Sequence, residues 1–283
     1  MILIKKTTDL EELLAVQKKA GKTIGFAPTM GALHAGHISL IKASKKENDI
    51  SVCSIFINPK QFNDPKDFEK YPVTIEKDIY LLEEAGCDFV FIPDEAQIYP
   101  AGEAEAEHFD LGYLETILEG KYRPGHFQGV CKVVYRLLTI VRPDKFYLGQ
   151  KDYQQCMVIK KLIDLSGWNK KINVRICPTL REPDGLAMSS RNMRLNEEER
   201  KNAVIISKIL LQLKEKLSKG SLMVIKQEAA DMLVQNGCRV DYVEIADAET
   251  LEQVNDWDGK RKLVALTAAF INDVRLIDNM LLN

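Results

Sequence analysis

Apolar and polar positions follow two different periods along the first two thirds of the chain. Near-continuous apolar runs of strand length occur at 23–27 (TIGFA), 50–57 (ISVCSIFI), 89–92, 145–148 and 172–177. Between them, apolar residues recur every three or four positions. Leu10, Leu13, Leu14 and Gln17 form one such face, positions 38–43 a second, and Ile79, Leu81, Leu82 and Ala85 a third that stops at Gly86. Phe127, Val130, Val134, Leu137, Leu138 and Val141 repeat at helical spacing until Pro143, and 153–166 reads as a helix ended by Gly167. Apolar strands that alternate with helices predict a parallel sheet covered on both faces, an α/β Rossmann-like arrangement. In such sheets ligands bind beyond the carboxyl ends of the strands. Chemistry is therefore sought at 28–37, 58–62, 149–155 and 178–191.

The pattern changes near Pro178. Residues 196–219 read as one long charged helix, with Asn196 capping it ahead of Glu197, Glu198 and Glu199. A second helix spans 221–236, and strand-like runs follow at 240–245, 263–266, 268–271 and 275–277. Helices followed by strands predict a smaller α+β domain. The expected division is 1–177 for the Rossmann-like domain and 178–283 for the C-terminal domain.

Composition narrows the classes of function. Of 283 residues, 46% are hydrophobic and 28% charged, so the chain can bury a core. The formal net charge of −2 lacks the basic surplus that non-specific nucleic-acid binding needs. No apolar run reaches bilayer length, and the start, MILIKK, is too short to be a secretory signal. Cys53, Cys87, Cys131, Cys156, Cys177 and Cys238 contain no CxxC pair and lie mostly in apolar runs, as expected of reduced thiols in a cytoplasmic protein. No resident metal site is expected from these residues.

Four segments carry candidate chemistry. Pro28-Thr29-Met30-Gly31-Ala32-Leu33-His34-Ala35-Gly36-His37 follows a strand and opens a helix. Gly31 and Gly36 let backbone approach a ligand, and a helix N-terminus suits phosphate. His34 and His37, three apart, can serve one ligand by donating hydrogen bonds to phosphate oxygens. A His-x-x-His metal pair lacks a third ligand nearby. Met188-Ser189-Ser190-Arg191, after the turn Pro183-Asp184-Gly185, offers two hydroxyls and a guanidinium for phosphate; alone it is a common loop sequence. Gly149-Gln150-Lys151-Asp152-Tyr153-Gln154-Gln155 sits where a strand meets a helix. Lys151, Asp152 and Gln155 are spaced to share a face of its first turn, although a capped, solvated helix start fits equally well. Phe56-Ile57-Asn58-Pro59-Lys60-Gln61-Phe62 follows a buried strand; Asn58 and Gln61 bring amides that read hydroxyl, carboxylate and amine groups, or else form an ordinary Asn-Pro turn.

HxGH with a later MSSR resembles the paired HIGH and KMSKS-type elements of the adenylate-forming nucleotidylyltransferases. PTMGALHAGH, FINPKQF, GQKDYQQ and DGLAMSSRN, with Tyr71-Pro72 and RPGHFQGV at 123–130, together resemble the pantothenate synthetase family over nearly the whole first domain and into the second. The resemblance implies ATP-dependent joining of pantoate to β-alanine through a pantoyl-adenylate. It implies that Met30, Gly31, Ala32, Leu33, His34, Ala35, Gly36 and His37 hold ATP, with both histidines on its phosphates. Gln61 and Gln155 hold pantoate, with Gln61 also facing β-alanine and Asn58 beside it. Gly149, Gln150, Lys151 and Asp152 bind the nucleotide, Lys151 on phosphate and Asp152 on ribose. Leu180 lies by adenine, and Met188, Ser189, Ser190 and Arg191 close over the triphosphate, the second domain acting as a lid. It further implies Mg²⁺ held largely by ATP, with Asp78 the one carboxylate left where some members assist the metal, and a homodimer. Arg123 and His126 carry no assigned role. Two other classes stand beside this one. A nucleotidyltransferase sharing HxGH would have no use for Asn58, Gln61 and Gln155, and an RNA-binding module would need a basic stripe that is absent.

Overall fold

A computed structural model of the chain describes residues 1–100 and 108–283. They form two compact units: Met1–Gly149 with Gln155–Pro178, and Gln150–Gln154 with Thr179–Asn283.

The first unit is built on six strands, β1 (Ile2–Ile4), β2 (Ile24–Thr29), β3 (Ile50–Ile55), β4 (Phe89–Phe91), β5 (Lys145–Gly149) and β6 (Asn173–Cys177). They lie side by side in the order β1-β4-β3-β2-β5-β6, every pair parallel. All six residues of β3 are buried, which is why its sequence is a mostly apolar run, with the small Ser51 and Ser54 in it, rather than an alternation. Helices Ala35–Glu47, Ile75–Glu84 and His126–Val141 connect the strands. The last of these starts after Gly125 (φ +79°) and ends at Arg142 (φ +48°), just before Pro143. The α/β parallel sheet expected from the pattern is present. β1 was not expected: three residues carry too little periodicity to register, and at the sheet edge Ile2 and Leu3 remain exposed.

The order places the switch point between β2 and β5. Successive strands run one way from β2 through β3 to β4, and the other way from β5 to β6. The β2–β5 ladder holds only Gly25↔Lys145 and Phe26↔Phe146, while β2 continues to Thr29 and β5 to Gly149. The carboxyl ends of the two strands therefore part, and a crevice opens where open α/β sheets bind ligands.

The second unit contains β7 (Gly220–Ser221), β8 (Arg239–Asp247), β9 (Asp256–Trp257), β10 (Leu263–Ile271) and β11 (Val274–Leu281). The three long strands form an antiparallel sheet in the order β11-β10-β8, and β7 pairs with β9. Ile209, Leu213, Leu233, Ile245, Leu263 and Ala265 meet in its core. Two sequence expectations fail here. The long helix over 196–219 is two helices, Glu197–Asn202 and Ile205–Glu215. The chain tightens at Ala203 and Val204, with Ile206 N–H bonding Ala203 O at 3.1 Å, and this re-aims Ile206, Ile209, Leu210 and Leu213 into the core. The separate strands at 263–266 and 268–271 are one. Thr267, which looked like an interruption, is fully buried and donates its hydroxyl to Tyr242 O at 3.1 Å. Asn196 does cap its helix: its side chain accepts from Glu199 N–H and the Glu199 carboxylate accepts from Asn196 N–H, a complete capping box.

Candidate active site

Beyond β2 the chain makes a turn that favours glycine at position 31. Gly31 has φ +83°, and a Cβ there would meet Asp78 Oδ2 at 3.1 Å and Ile55 Cγ2 at 3.2 Å. Ala32 follows at φ +48°, a left-handed conformation that costs a residue with a side chain about 1–2 kcal/mol. Asp78, from the first turn of helix Ile75–Glu84, offsets that cost. It is fully buried; Oδ2 accepts from Ala32 N–H at 2.9 Å, and Oδ1 from Leu33 N–H at 2.8 Å and from Thr74 Oγ1 at 3.0 Å. Thr29 Oγ1 accepts from Gly31 N–H at 3.3 Å and donates to Ser54 O at 2.8 Å. Sequence reasoning considered Asp78 only beside a metal. Its carboxylate is instead occupied with the backbone of the turn.

The histidines finish the turn. Gly36 N–H donates to His34 Nδ1 at 3.1 Å, and His34 N–H donates to His37 Nδ1 at 3.4 Å. A backbone N–H can only donate, so both Nδ1 atoms are acceptors and both ring protons sit on Nε2. The ring centroids lie 4.0 Å apart with the planes tilted by 35°. The amides of Gly31, Ala32, Leu33, His34 and Gly36 thus already have acceptors inside the protein. The imidazoles, more than a bare helix N-terminus, supply the donors on which this turn can hold phosphate.

The turn after β3 lies against the turn after β2, since the Gln61 amide abuts the Met30 thioether. Asn58 is 1% exposed. Its Oδ1 accepts from Tyr99 OH at 3.0 Å, and its Nδ2 donates to Gly129 O at 3.1 Å. Burial pushes the Tyr99 hydroxyl well above its usual range, which keeps it a donor. Asn58 therefore builds the turn that presents Gln61. Gly129 is required here, because a Cβ would stand 2.1 Å from Lys60 O. His126 is buried, with Nδ1 2.7 Å from Gln61 O and Nε2 3.0 Å from Arg123 Nη1, and Arg123 Nε donates to Asn63 Oδ1 at 3.3 Å. Arg123 and His126, unassigned from sequence, tie down the backbone around Gln61. Gln155 is half-buried on helix Tyr153–Leu165.

In the second unit, Gln150–Asp152 is a single 3-10 turn ahead of that helix, so Lys151 and Asp152 precede the α-helical face expected of them. Lys151 Nζ is 3.7 Å from Asp152 Oδ1. Leu180 and Met188 are neighbours across a hairpin: Met188 N–H donates to Leu180 O at 3.0 Å, and Arg181 bridges Ala187. Ser189 caps the 3-10 segment Ser190–Arg194, its Oγ accepting from Arg191 N–H at 3.3 Å.

No group of three His, Cys, Asp or Glu among the described residues is placed to hold a metal. Burial pushes the Cys87 and Cys131 thiols up to about 12, which keeps them protonated.

The family model for pantoate-beta-alanine ligase matches residues 2–281. The pantothenate synthetase of Cytophaga hutchinsonii is 45% identical over 285 positions, which cover 100% of this chain and 99% of that protein. That of Acetivibrio thermocellus is 44% identical, covering 99% of each. Among solved structures, the pantothenate synthetase of Thermus thermophilus superposes with a TM-score of 0.91 at 37% identity, covering 100% of this chain and 99% of that one. The pantoate-beta-alanine ligase of Francisella tularensis, complexed with beta-gamma ATP and beta-alanine, gives 0.82 at 38% identity, covering 100% and 98%. The chain belongs to the pantoate–β-alanine ligase family.

Proposed function

We propose that the chain joins pantoate to β-alanine with ATP, releasing AMP and pyrophosphate, through a pantoyl-adenylate (EC 6.3.2.1). The observation that carries this reading is the meeting of two turns at the carboxyl ends of β2 and β3. One presents two Nε2–H imidazoles, and the other presents Gln61 against Met30.

A carboxylate does not acylate an amine in water, because its oxide is a very poor leaving group. A pantoate carboxylate oxygen attacks the α-phosphorus of ATP, and the bond to the bridging oxygen breaks as pyrophosphate leaves. The β-alanine amine then attacks the acyl carbon, AMP departs with the former carboxylate oxygen, and the amine gives up a proton. The residues supply position and charge rather than a covalent intermediate. His34 and His37 donate to phosphate oxygens as negative charge builds on the leaving group. Lys151, Ser189, Ser190 and Arg191 add donors and positive charge, Asp152 takes the ribose, and Gly149, Gln150, Leu180 and Met188 line the nucleotide. Gln61 and Gln155 hold pantoate. Mg²⁺ is read as arriving on the ATP phosphates, because Asp78 is taken by backbone and the described residues offer no ligand cluster.

No helix among the described residues is long and apolar enough to cross a membrane. A cytoplasmic location and a homodimer complete the proposal. Free thiols, five of them buried, support the first, and the family resemblance supports the second.

The test is exchange of labelled pyrophosphate into ATP with β-alanine withheld. Exchange that requires pantoate is expected. Exchange indifferent to pantoate, in folded protein that binds ATP, would remove pantoate as the activated acid. A nucleotidyltransferase would instead require a phosphate acceptor.

A further inference from the structure

The second unit contains a buried polar assembly that the reaction as described leaves unused. Asp278 and Asn279 lie side by side on β11 and are 3% and 2% exposed. Arg181 Nη1 and Nη2 donate to Asp278 Oδ2 and Oδ1 at 2.6 and 2.9 Å, a two-pronged pair. The same guanidinium donates to Gly185 O at 3.1 Å and to Asn279 O at 3.2 Å. It thereby closes the tip of the 181–187 hairpin, whose far strand runs directly into Met188 and Ser189. Asn279 reaches the other way. Its Nδ2 donates to Gln150 O at 2.9 Å and to Lys151 O at 2.7 Å, and its Oδ1 accepts from Gln150 Nε2 at 3.3 Å. Asn279 N–H is itself bonded to Asp278 Oδ1 at 2.7 Å.

One pair of neighbouring residues on a strand thus holds two segments that are far apart in sequence. Both are segments to which the proposed function gives nucleotide contacts. We propose that Arg181, Asp278 and Asn279 are positioning residues, with β11 as the gauge that fixes Lys151 relative to the hairpin bearing Leu180 and Met188–Arg191.

The arrangement suits this role better than a role in stability alone. A buried ion pair adds little net stability over an apolar pair of the same volume, because taking both charges out of water costs about what their attraction returns. Burial pushes the Asp278 carboxyl up, against the Arg181 guanidinium that holds it down. What the assembly adds is direction. The guanidinium fork and the carboxamide accept only one placement of their backbone and side-chain partners. Asn279 spends both amide protons on two successive carbonyls of the 3-10 turn, which satisfies its buried amide and at the same time ties the turn to β11.

This inference rests on the reading that Lys151 and Met188–Arg191 handle ATP, so the experiment carries a control for that reading. Asn279→Leu keeps the branched heavy-atom shape and removes both donations to the 150–151 turn. Arg181→Lys keeps the charge opposite Asp278 and loses the fork. Initial rates of pantoate-dependent exchange are measured against ATP and, separately, against pantoate, at a temperature where each variant is fully folded by melting curve. Each variant is expected to raise KM for ATP about tenfold, the scale of one or two lost hydrogen bonds, with KM for pantoate unchanged. A merely structural role would lower the melting temperature and leave both KM values alone, and that result overturns the proposal. If Asn279→Leu does not fold, Arg181→Lys decides alone. Lys151→Ala is the control: if it leaves ATP kinetics untouched, the assignment of Lys151 fails, whereas impaired Lys151→Ala beside normal Asn279→Leu and Arg181→Lys rejects the positioning role specifically.

Discussion

Asp78→Ala is expected to destabilise the first unit by about 3 kcal/mol or more and to abolish pyrophosphate exchange. The magnitude follows from what the carboxylate does. It accepts two buried backbone N–H bonds, from Ala32 and Leu33, and a hydroxyl bond from Thr74. Each buried donor left without a partner costs about 1–3 kcal/mol. The same bonds hold Ala32 at φ +48°, so their loss also releases the strain in the turn and lets it move. For a unit of this size, about 3 kcal/mol corresponds to a fall of roughly 6–12 °C in melting temperature. Asp78→Asn separates the two effects. The amide retains one acceptor oxygen and turns an NH2 group toward a backbone N–H, so the unit folds with a smaller loss while the turn shifts. A displacement of about 1 Å in a catalytic group costs about 10²-fold in rate, and a loss of that order in exchange is expected. Normal exchange by a folded Asp78→Asn protein would show that the turn tolerates another geometry and that the carboxylate is only a core residue.

His37→Ala is expected to lose about 10²–10³-fold in the adenylation half-reaction, the range for removing one donor to developing charge. Its effect on stability is expected to be small, about 1 kcal/mol, the scale of the helix-cap bond that the ring accepts from His34 N–H. The two readouts must separate: exchange rate collapses while the melting temperature moves by a few degrees. Near-native exchange in this variant would remove His37 from the chemistry and leave it as a cap.

The contrast between these two residues shows what the sequence discloses. The setting of His34 and His37 was legible because their backbone partners are local, a strand end and a helix start close together along the chain. The parallel α/β sheet was legible because apolar runs and helical repeats alternate along the chain, whereas the strand order that puts the switch point between β2 and β5 was not. Asp78 was not. Its partners Ala32 and Leu33 lie 46 and 45 residues away, and nothing in IEKDIY announces that its carboxylate will be buried. The same holds for Asn279, bonded to residues 128 and 129 positions earlier, and for Arg181, 97 positions from Asp278. Asn58 was read as a reader of substrate from its amide, whereas Tyr99 and Gly129 turn that amide to holding the loop. Two misreadings of secondary structure have one cause. At Thr267 and at Ala203–Val204 the local polarity pattern is overruled by burial, in the first case extending a strand and in the second dividing a helix.

The central claim is that a pantoate oxygen attacks the α-phosphorus of ATP. It is tested most directly with pantoate carrying ¹⁸O in both carboxylate oxygens, turned over with ATP and β-alanine and analysed by mass spectrometry. The account predicts one labelled oxygen in the phosphate of AMP and the other in the new amide of the product. Label in inorganic phosphate with ADP formed, or AMP without label, would contradict it.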